Sequence, residues 1–179
     1  MGGAVNRPDL AAELRRRARS DQQARDHLTR TGEPGDLLRI DADNTAWLKA
    51  VVAEHGWPGR ELVGDQGADD AWLLVQHADR DPGFQHEALE LLTGAVEAAD
   101  APPRHLAYLT DRVLIARGRP QLYGTQYTGD DTSSLRPQPV HEPERLDERR
   151  AAMGLEPAAA YDERIRRAYG PATDKETTA

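Results

Sequence analysis

Pro103-Arg104-His105-Leu106-Ala107-Tyr108-Leu109-Thr110-Asp111-Arg112-Val113-Leu114-Ile115-Ala116-Arg117-Gly118 is the stretch on which the fold class turns. Ala101-Pro102-Pro103 opens it and Gly118 ends it, the arrangement expected of a helix. Tyr108, Asp111, Arg112 and Ile115 fall at i, i+3, i+4 and i+7, with Leu106, Leu109 and Val113 as the neighbouring apolar stripe. Beyond Gly118 the period changes. Gln121, Tyr123, Thr125 and Tyr127 alternate with Leu122, Gly124, Gln126 and Thr128, which predicts a strand followed by a turn at Gly129-Asp130-Asp131. Its partner would be Leu135 to Val140, which Pro137 and Pro139 restrict to an edge strand or an extended segment.

Working outward, helical spacing recurs. A first helix is expected over 8–30, with Asn6 as N-cap and Pro8 in its first turn, and a second capped by Asp41 or Asp43 and stopped at Gly56. A third is expected at about 67–79, a fourth from Asp81-Pro82, and two short ones near 143–152 and 157–169. These predict a mainly α, single-domain bundle of about seven helices with one short β-ribbon near 120–140, occupying 1–172, and a disordered tail over 173–179.

Composition narrows the function. The 179 residues carry 23 basic and 31 acidic side chains, a net charge of -8, and mean hydropathy is -0.75. An acidic chain repels phosphate backbones, so no nucleic-acid partner is expected. No cysteine is present, which removes disulfides, thiolate metal sites and cysteine nucleophiles. No apolar stretch approaches the ~20 residues of a membrane span and no signal-peptide core is visible, so a soluble, cytoplasmic protein without a membrane partner is expected. Lys49 and Lys175 are the only lysines, leaving Schiff-base chemistry almost no candidate; the excess of Arg, Ala, Asp and Gly reads as the mark of a GC-rich genome. Glycine-rich phosphate loops and Gly-x-Ser-x-Gly are absent.

What remains is polarity inside apolar elements. Buried polar groups lose hydration and persist only with partners, so several in one small domain suggest a site. His77, following Leu73-Leu74-Val75-Gln76, is the best proton-transfer candidate, with Asp111 or Asp79 to orient it. Arg112 would hold a substrate anion, and Gln76, Gln121, Tyr123, Thr125 and Gln126 would bind or polarise the reacting group. These groups are expected to converge. His77, Asp111 and Tyr123 are thus the catalytic candidates, and Gln76, Asp79, Arg112, Gln121, Thr125 and Gln126 the substrate-binding ones. His77-Ala78-Asp79 also fits a His-x-Asp metal pair, with His86, His105 or His141 as third ligand, but it ends a helix rather than a strand, and neither metal nor cofactor is expected. Asp21-Gln22-Gln23-Ala24-Arg25 and Asp43-Asn44 read as surface polarity and capping, and the dense Arg15, Arg16, Arg17 and Arg19 cluster as an exposed helix face.

Six strings carry a resemblance: Ser20-Asp21-Gln22-Gln23-Ala24-Arg25, His55-Gly56-Trp57-Pro58, Leu74-Val75-Gln76-His77-Ala78-Asp79, Ala107-Tyr108-Leu109-Thr110-Asp111-Arg112-Val113, Gly118-Arg119-Pro120-Gln121-Leu122-Tyr123-Gly124-Thr125-Gln126 and Arg149-Arg150-Ala151-Ala152-Met153-Gly154-Leu155. Over roughly residues 20–155 the chain resembles a bacterial family catalogued as a domain of unknown function, with Gln-x-Tyr-Gly-Thr-Gln its most specific string. The resemblance implies no mechanism; it implies that the polar strings chosen on physical grounds are also those that mark the family. The leading expectation is a small cofactor-independent enzyme of hydrolase, lyase or isomerase/cyclase type, using His77 for proton transfer on a polar or anionic small molecule or peptide. The alternative is a non-catalytic binding or immunity-like module that uses the same polar cluster structurally.

Overall fold

The computed structural model describes residues 6–129 and 135–169. Among them are seven α-helices, α1 (Pro8–Thr31), α2 (Leu37–His55), α3 (Arg60–Gln76), α4 (Pro82–Glu97), α5 (Pro103–Ala116), α6 (Leu146–Ala152) and α7 (Ala158–Tyr169). A two-stranded antiparallel ribbon joins β1 (Tyr127–Thr128) to β2 (Arg136–Pro137). The protein is mainly α, as its patterning predicts. Its chain divides into two compact units, Met1–Leu109 and Thr110–Ala179, where the sequence suggests one domain over 1–172. The segment from Thr173 and the turn residues Asp130 and Asp131 lie outside the described residues.

In the first unit α1 packs on α3 and α2, with Leu14 and Ala18 of α1 and Leu48, Val51, Ala71 and Leu74 of its partners buried. Pro8 occupies the first turn of α1, but the N-cap position is Arg7, not Asn6, and Gly32 ends the helix at φ 73. The second helix starts at Leu37, earlier than an Asp41 or Asp43 cap would allow. A turn at Pro34, closed by Leu37 N–H donating to the Pro34 carbonyl at 2.9 Å, starts it first and leaves both aspartates inside the helix.

The third helix begins at Arg60 because one turn precedes a kink at Gly64, whose φ of 74 and ψ of 170 belong to backbone that glycine tolerates. At its other end it stops at Gln76, not 79, and His77 is the C-cap with φ -96. Two turn bonds replace the helical ones there, from His77 N–H to Leu74 at 3.2 Å and from Ala78 N–H to Val75 at 3.1 Å. Buried Gln85 of α4 adds a tie, its Nε2 donating to the Val75 carbonyl at 3.1 Å and to Asp79 Oδ1 at 3.1 Å. Asp81 caps α4 by accepting from Phe84 N–H at 2.9 Å.

The second unit turns on Asp111, whose side chain is 0% exposed. The strand predicted over 121–128 shrinks to two residues because the N–H groups a ladder would use are taken by this carboxylate. Leu122 N–H donates to Asp111 at 2.7 Å, Tyr123 N–H at 3.0 Å, Thr125 N–H at 2.9 Å and the Thr125 hydroxyl at 2.9 Å. Gly124, at φ 67, makes the bend. The carbonyl side is satisfied in turn: Arg149 Nε donates to Leu122 at 2.7 Å, Arg150 Nη1 to Tyr123 at 2.5 Å and the Tyr161 hydroxyl to Thr125 at 3.1 Å. Burial pushes the Asp111 carboxyl above its ordinary range, and the hydrogen bonds oppose that push.

Removing this carboxylate leaves several buried donors without an acceptor. Asp111→Ala is therefore expected to destabilise the protein by roughly 2–5 kcal/mol. A denaturant melt followed by circular dichroism would measure it, and a loss under about 1 kcal/mol would show that the loop holds itself.

Candidate functional site

A cleft of about 290 Å³ in the first unit is lined by polar Asp41, Thr45, Lys49, His77, Arg80 and Asp81, with alanines forming its apolar wall. At 100° per residue, Asp41, Thr45 and Lys49 share one face of α2, while His77 and its neighbours enter from the turn that closes α3. Thus one helix face and one tied-down turn build the cleft.

The His77 side chain is 18% exposed and its Nδ1 lies 2.9 Å from Asp21 Oδ2. Asp21 comes from α1 and is 0% exposed. Arg25 Nε also approaches Nδ1, at 2.9 Å, but Nδ1 cannot both accept from Arg25 and donate to Asp21. The buried carboxylate offers lone pairs only, so Nδ1 carries the proton and donates to Asp21, while Arg25 Nε is directed at Asp21 Oδ2, 3.3 Å away. With Nδ1 engaged, Nε2 is the ring nitrogen left to the cleft.

Arg25 Nη2 reaches on to Asp41 Oδ1 at 2.7 Å, so one guanidinium joins both carboxylates. Their environments push them apart. Burial raises the Asp21 carboxyl, but the His77 hydrogen bond and the charges of His77 and Arg25 outweigh it and hold Asp21 below the usual carboxylate range. At Asp41 burial prevails over Arg25, aided by the charge on Asp21, and the carboxyl is raised. Opposite, Lys49 Nζ pairs with Asp81 at 2.6 Å. Arg80 is exposed and has no hydrogen-bond partner among the described residues.

Gln76, His77 and Asp79 belong to the first unit; Asp111, Arg112, Gln121, Tyr123, Thr125 and Gln126 to the second. Gln76 is the buried last residue of α3, and exposed Asp79 receives Gln85. Asp111 spends its oxygens on the loop from Leu122 to Thr125, so the carboxylate on His77 is Asp21, from the string read as surface polarity. Gln121 is buried and also internal in its bonding: Nε2 donates to the carbonyls of Gln126 at 3.0 Å and Gln138 at 2.8 Å, and Oε1 accepts from Gln126 N–H at 2.8 Å. Gln126 Nε2 donates to Thr125 at 3.0 Å. Tyr123 and Arg112 are half-buried, and burial, with the charge of Asp111, raises the Tyr123 phenol.

Sequence reasoning missed Asp21, Arg25, Asp41 and Arg80. The i, i+4 spacing of Asp21 and Arg25 was one available signal, and their place in a string that carries the family resemblance was another.

The metal alternative meets a different arrangement. His105 is stacked on Trp72 with centroids 4.5 Å apart, its Nε2 is 2.9 Å from Asp69, and burial, with the charges of Arg104 and Arg60, pushes its imidazole down to about 3. His86 faces Glu90 at 3.6 Å. Among the described residues no group of three or more His, Cys, Asp or Glu side chains is placed to hold a metal ion, and no helix is long and apolar enough to cross a membrane.

A 57-residue stretch, 30% of the chain, is 37% identical to the mitochondrial arginine biosynthesis bifunctional protein ArgJ of Laccaria bicolor, and covers 12% of that protein. So short a stretch of a much longer relative transfers no activity. No solved structure matches the chain. A family of unknown function, DUF6624, matches residues 8–173, and the chain belongs to that family.

Proposed function

We propose that the chain is a small, bacterial, cytoplasmic and cofactor-independent enzyme that performs proton-transfer chemistry on a polar or anionic small molecule or peptide. Hydrolysis, elimination, isomerisation and cyclisation are all within reach of such a site. The observation that carries this reading is the bond from His77 Nδ1 to a fully buried carboxylate, at the edge of a cleft open to solvent. A buried aspartate fixes the tautomer and stabilises the imidazolium that forms, so the Nε2 lone pair can take a proton from substrate and return it. Asp41, with its carboxyl raised by burial in the same cleft, supplies a second proton-carrying group. Arg80 is the anion holder, since its guanidinium is not committed elsewhere among the described residues.

The second reading is the non-catalytic binding module. What favours it is that Asp111, Gln121 and Thr125 are used up in bonds within the second unit. The enzyme proposal accordingly rests on first-unit residues alone.

His77→Gln keeps a donor toward Asp21 and removes the imidazole. In a screen of esters, amides, phosphate esters and hydroxy acids, turnover found with the native protein should fall by about 100-fold or more in this variant. Its melting temperature should stay within a few degrees. Turnover that survives the substitution would exclude His77 as the acid or base.

Asp21 makes a pH prediction whose sign follows from its lowered folded-state value. Its contribution is present above the unfolded carboxylate value, about 3.9, and is lost as pH falls through the lower folded value. Asp21→Asn should therefore cost about 1–3 kcal/mol at pH 7, and that cost should shrink as the pH is lowered from about 5 toward 2. Urea titrations across that range give the difference, and a pH-independent cost would show that the carboxylate is not charged in the fold.

A further inference from the structure

The Arg-rich face of α1 meets α2 at a second recess, of about 220 Å³, lined by Arg16, Arg17, Ser20, Arg39, Asp43 and Asn44. At 100° per residue, Arg39 and Asp43 lie on the side of α2 away from the Asp41, Thr45 and Lys49 face, Asn44 lies at its flank, and the recess shares no lining residue with the His77 cleft. We propose that it binds a phosphate group, free or as the monoester of a small molecule.

Two observations carry this. Asn44 is 4% exposed; its Oδ1 accepts from Arg17 Nη1 at 3.1 Å, which fixes the amide, and its Nδ2 is a buried donor with no hydrogen-bond partner. A buried unsatisfied donor in a native fold calls for an acceptor. The three guanidiniums supply the charge; Glu13 binds Arg16 and Arg17, and Asp36 binds Arg39, but neither acid lines the recess. Asp43 is the exception, taking Arg17 Nη1 at 2.7 Å. The lining therefore carries three positive groups against one negative. Arg17 is held in place by Glu13, Asp43, Asn44 and the face of Trp47, 4.7 Å below its guanidinium, and Nη2 takes no part in those bonds. With Arg17 fixed and Arg16 and Arg39 reaching in from two helices, donors come from more than one plane, which suits the several oxygens of a tetrahedral dianion.

Isothermal titration of the full chain at constant ionic strength tests the proposal with inorganic phosphate, methyl phosphate and acetate. One phosphate should bind per chain, at least tenfold more tightly than acetate. Asn44→Asp keeps the acceptor for Arg17 and replaces the orphaned donor with an oxygen; Arg39→Ala removes an exposed guanidinium whose loss does not threaten folding. Each should weaken phosphate by tenfold or more, while Arg80→Ala, in the other cleft, should change it less than twofold. Methyl phosphate binding as well as phosphate assigns an ester ligand, and its exclusion assigns the free ion. No saturable phosphate binding, acetate binding equally well, affinity untouched by both Asn44→Asp and Arg39→Ala, or affinity lost in Arg80→Ala would each overturn it. The outcome does not depend on whether His77 is catalytic.

Discussion

A carboxylate stripped of water must be surrounded by donors, and each unit of this protein is arranged around one such group, Asp21 in the first and Asp111 in the second. The two are satisfied differently. Asp111 is met mainly by backbone N–H groups, which fixes the path of a loop and leaves the carboxylate nothing else to do. Asp21 is met by side chains, Gln22, Arg25 and His77, of which the last carries an exchangeable ring proton and lines an open cleft. The same constraint therefore yields a structural clamp in one place and the back of a proton-transfer pair in the other. Partner type separates them, because a backbone amide has no protonation state to change.

The placement of His77 follows from how α3 ends. A histidine within a helix would be held by the i−4 ladder and crowded by the preceding turn. As the C-cap, its backbone lies just past the helix, and its position is set by the turn bonds to Leu74 and Val75 and by Gln85, which also donates to the Val75 carbonyl. The ring is thereby held by neighbours that are themselves buried, the kind of support a catalytic group needs to keep its geometry.

Helical period, prolines and glycines made most of the fold legible: the stops at Gly56 and Gly118, the Asp81-Pro82 start and the ribbon near 120–140 can all be read from local chemistry. What could not be read depends on contacts distant in sequence. Asp41 and Asp43 look like caps, since a short polar residue before an apolar run usually is one; only the fold reveals that Arg25 and Arg17 meet them from α1. Alternation from Gln121 to Thr128 is a sound strand signal, but a strand needs its N–H groups for a ladder, and Asp111 had claimed them. His77 was legible as a polar interruption, whereas its carboxylate partner was not, because Asp21 lies 56 positions away on a helix so dense in charges that no one of them stands out as buried.

The preference for arginine over lysine, unremarkable as composition, acquires a physical use in the fold. An ammonium is a compact point charge, while a guanidinium presents five N–H donors in a rigid plane and can address several acceptors at once. Arg25 spans Asp21 and Asp41, Arg17 spans Glu13, Asp43 and Asn44, and Arg149 gathers the carbonyls of Leu122, His141 and Glu142. Arg150, wholly buried, donates to Glu156 and Tyr123 and lies over the Tyr161 ring at 4.8 Å. A lysine at any of these positions keeps the charge and loses the span, and at the buried acceptors, such as Asp21, no solvent donor would take its place. Asp21 and the carbonyls of Leu122 and Tyr123 are secured for this reason: each is tied to a neighbour through an arginine that is itself held at more than one point.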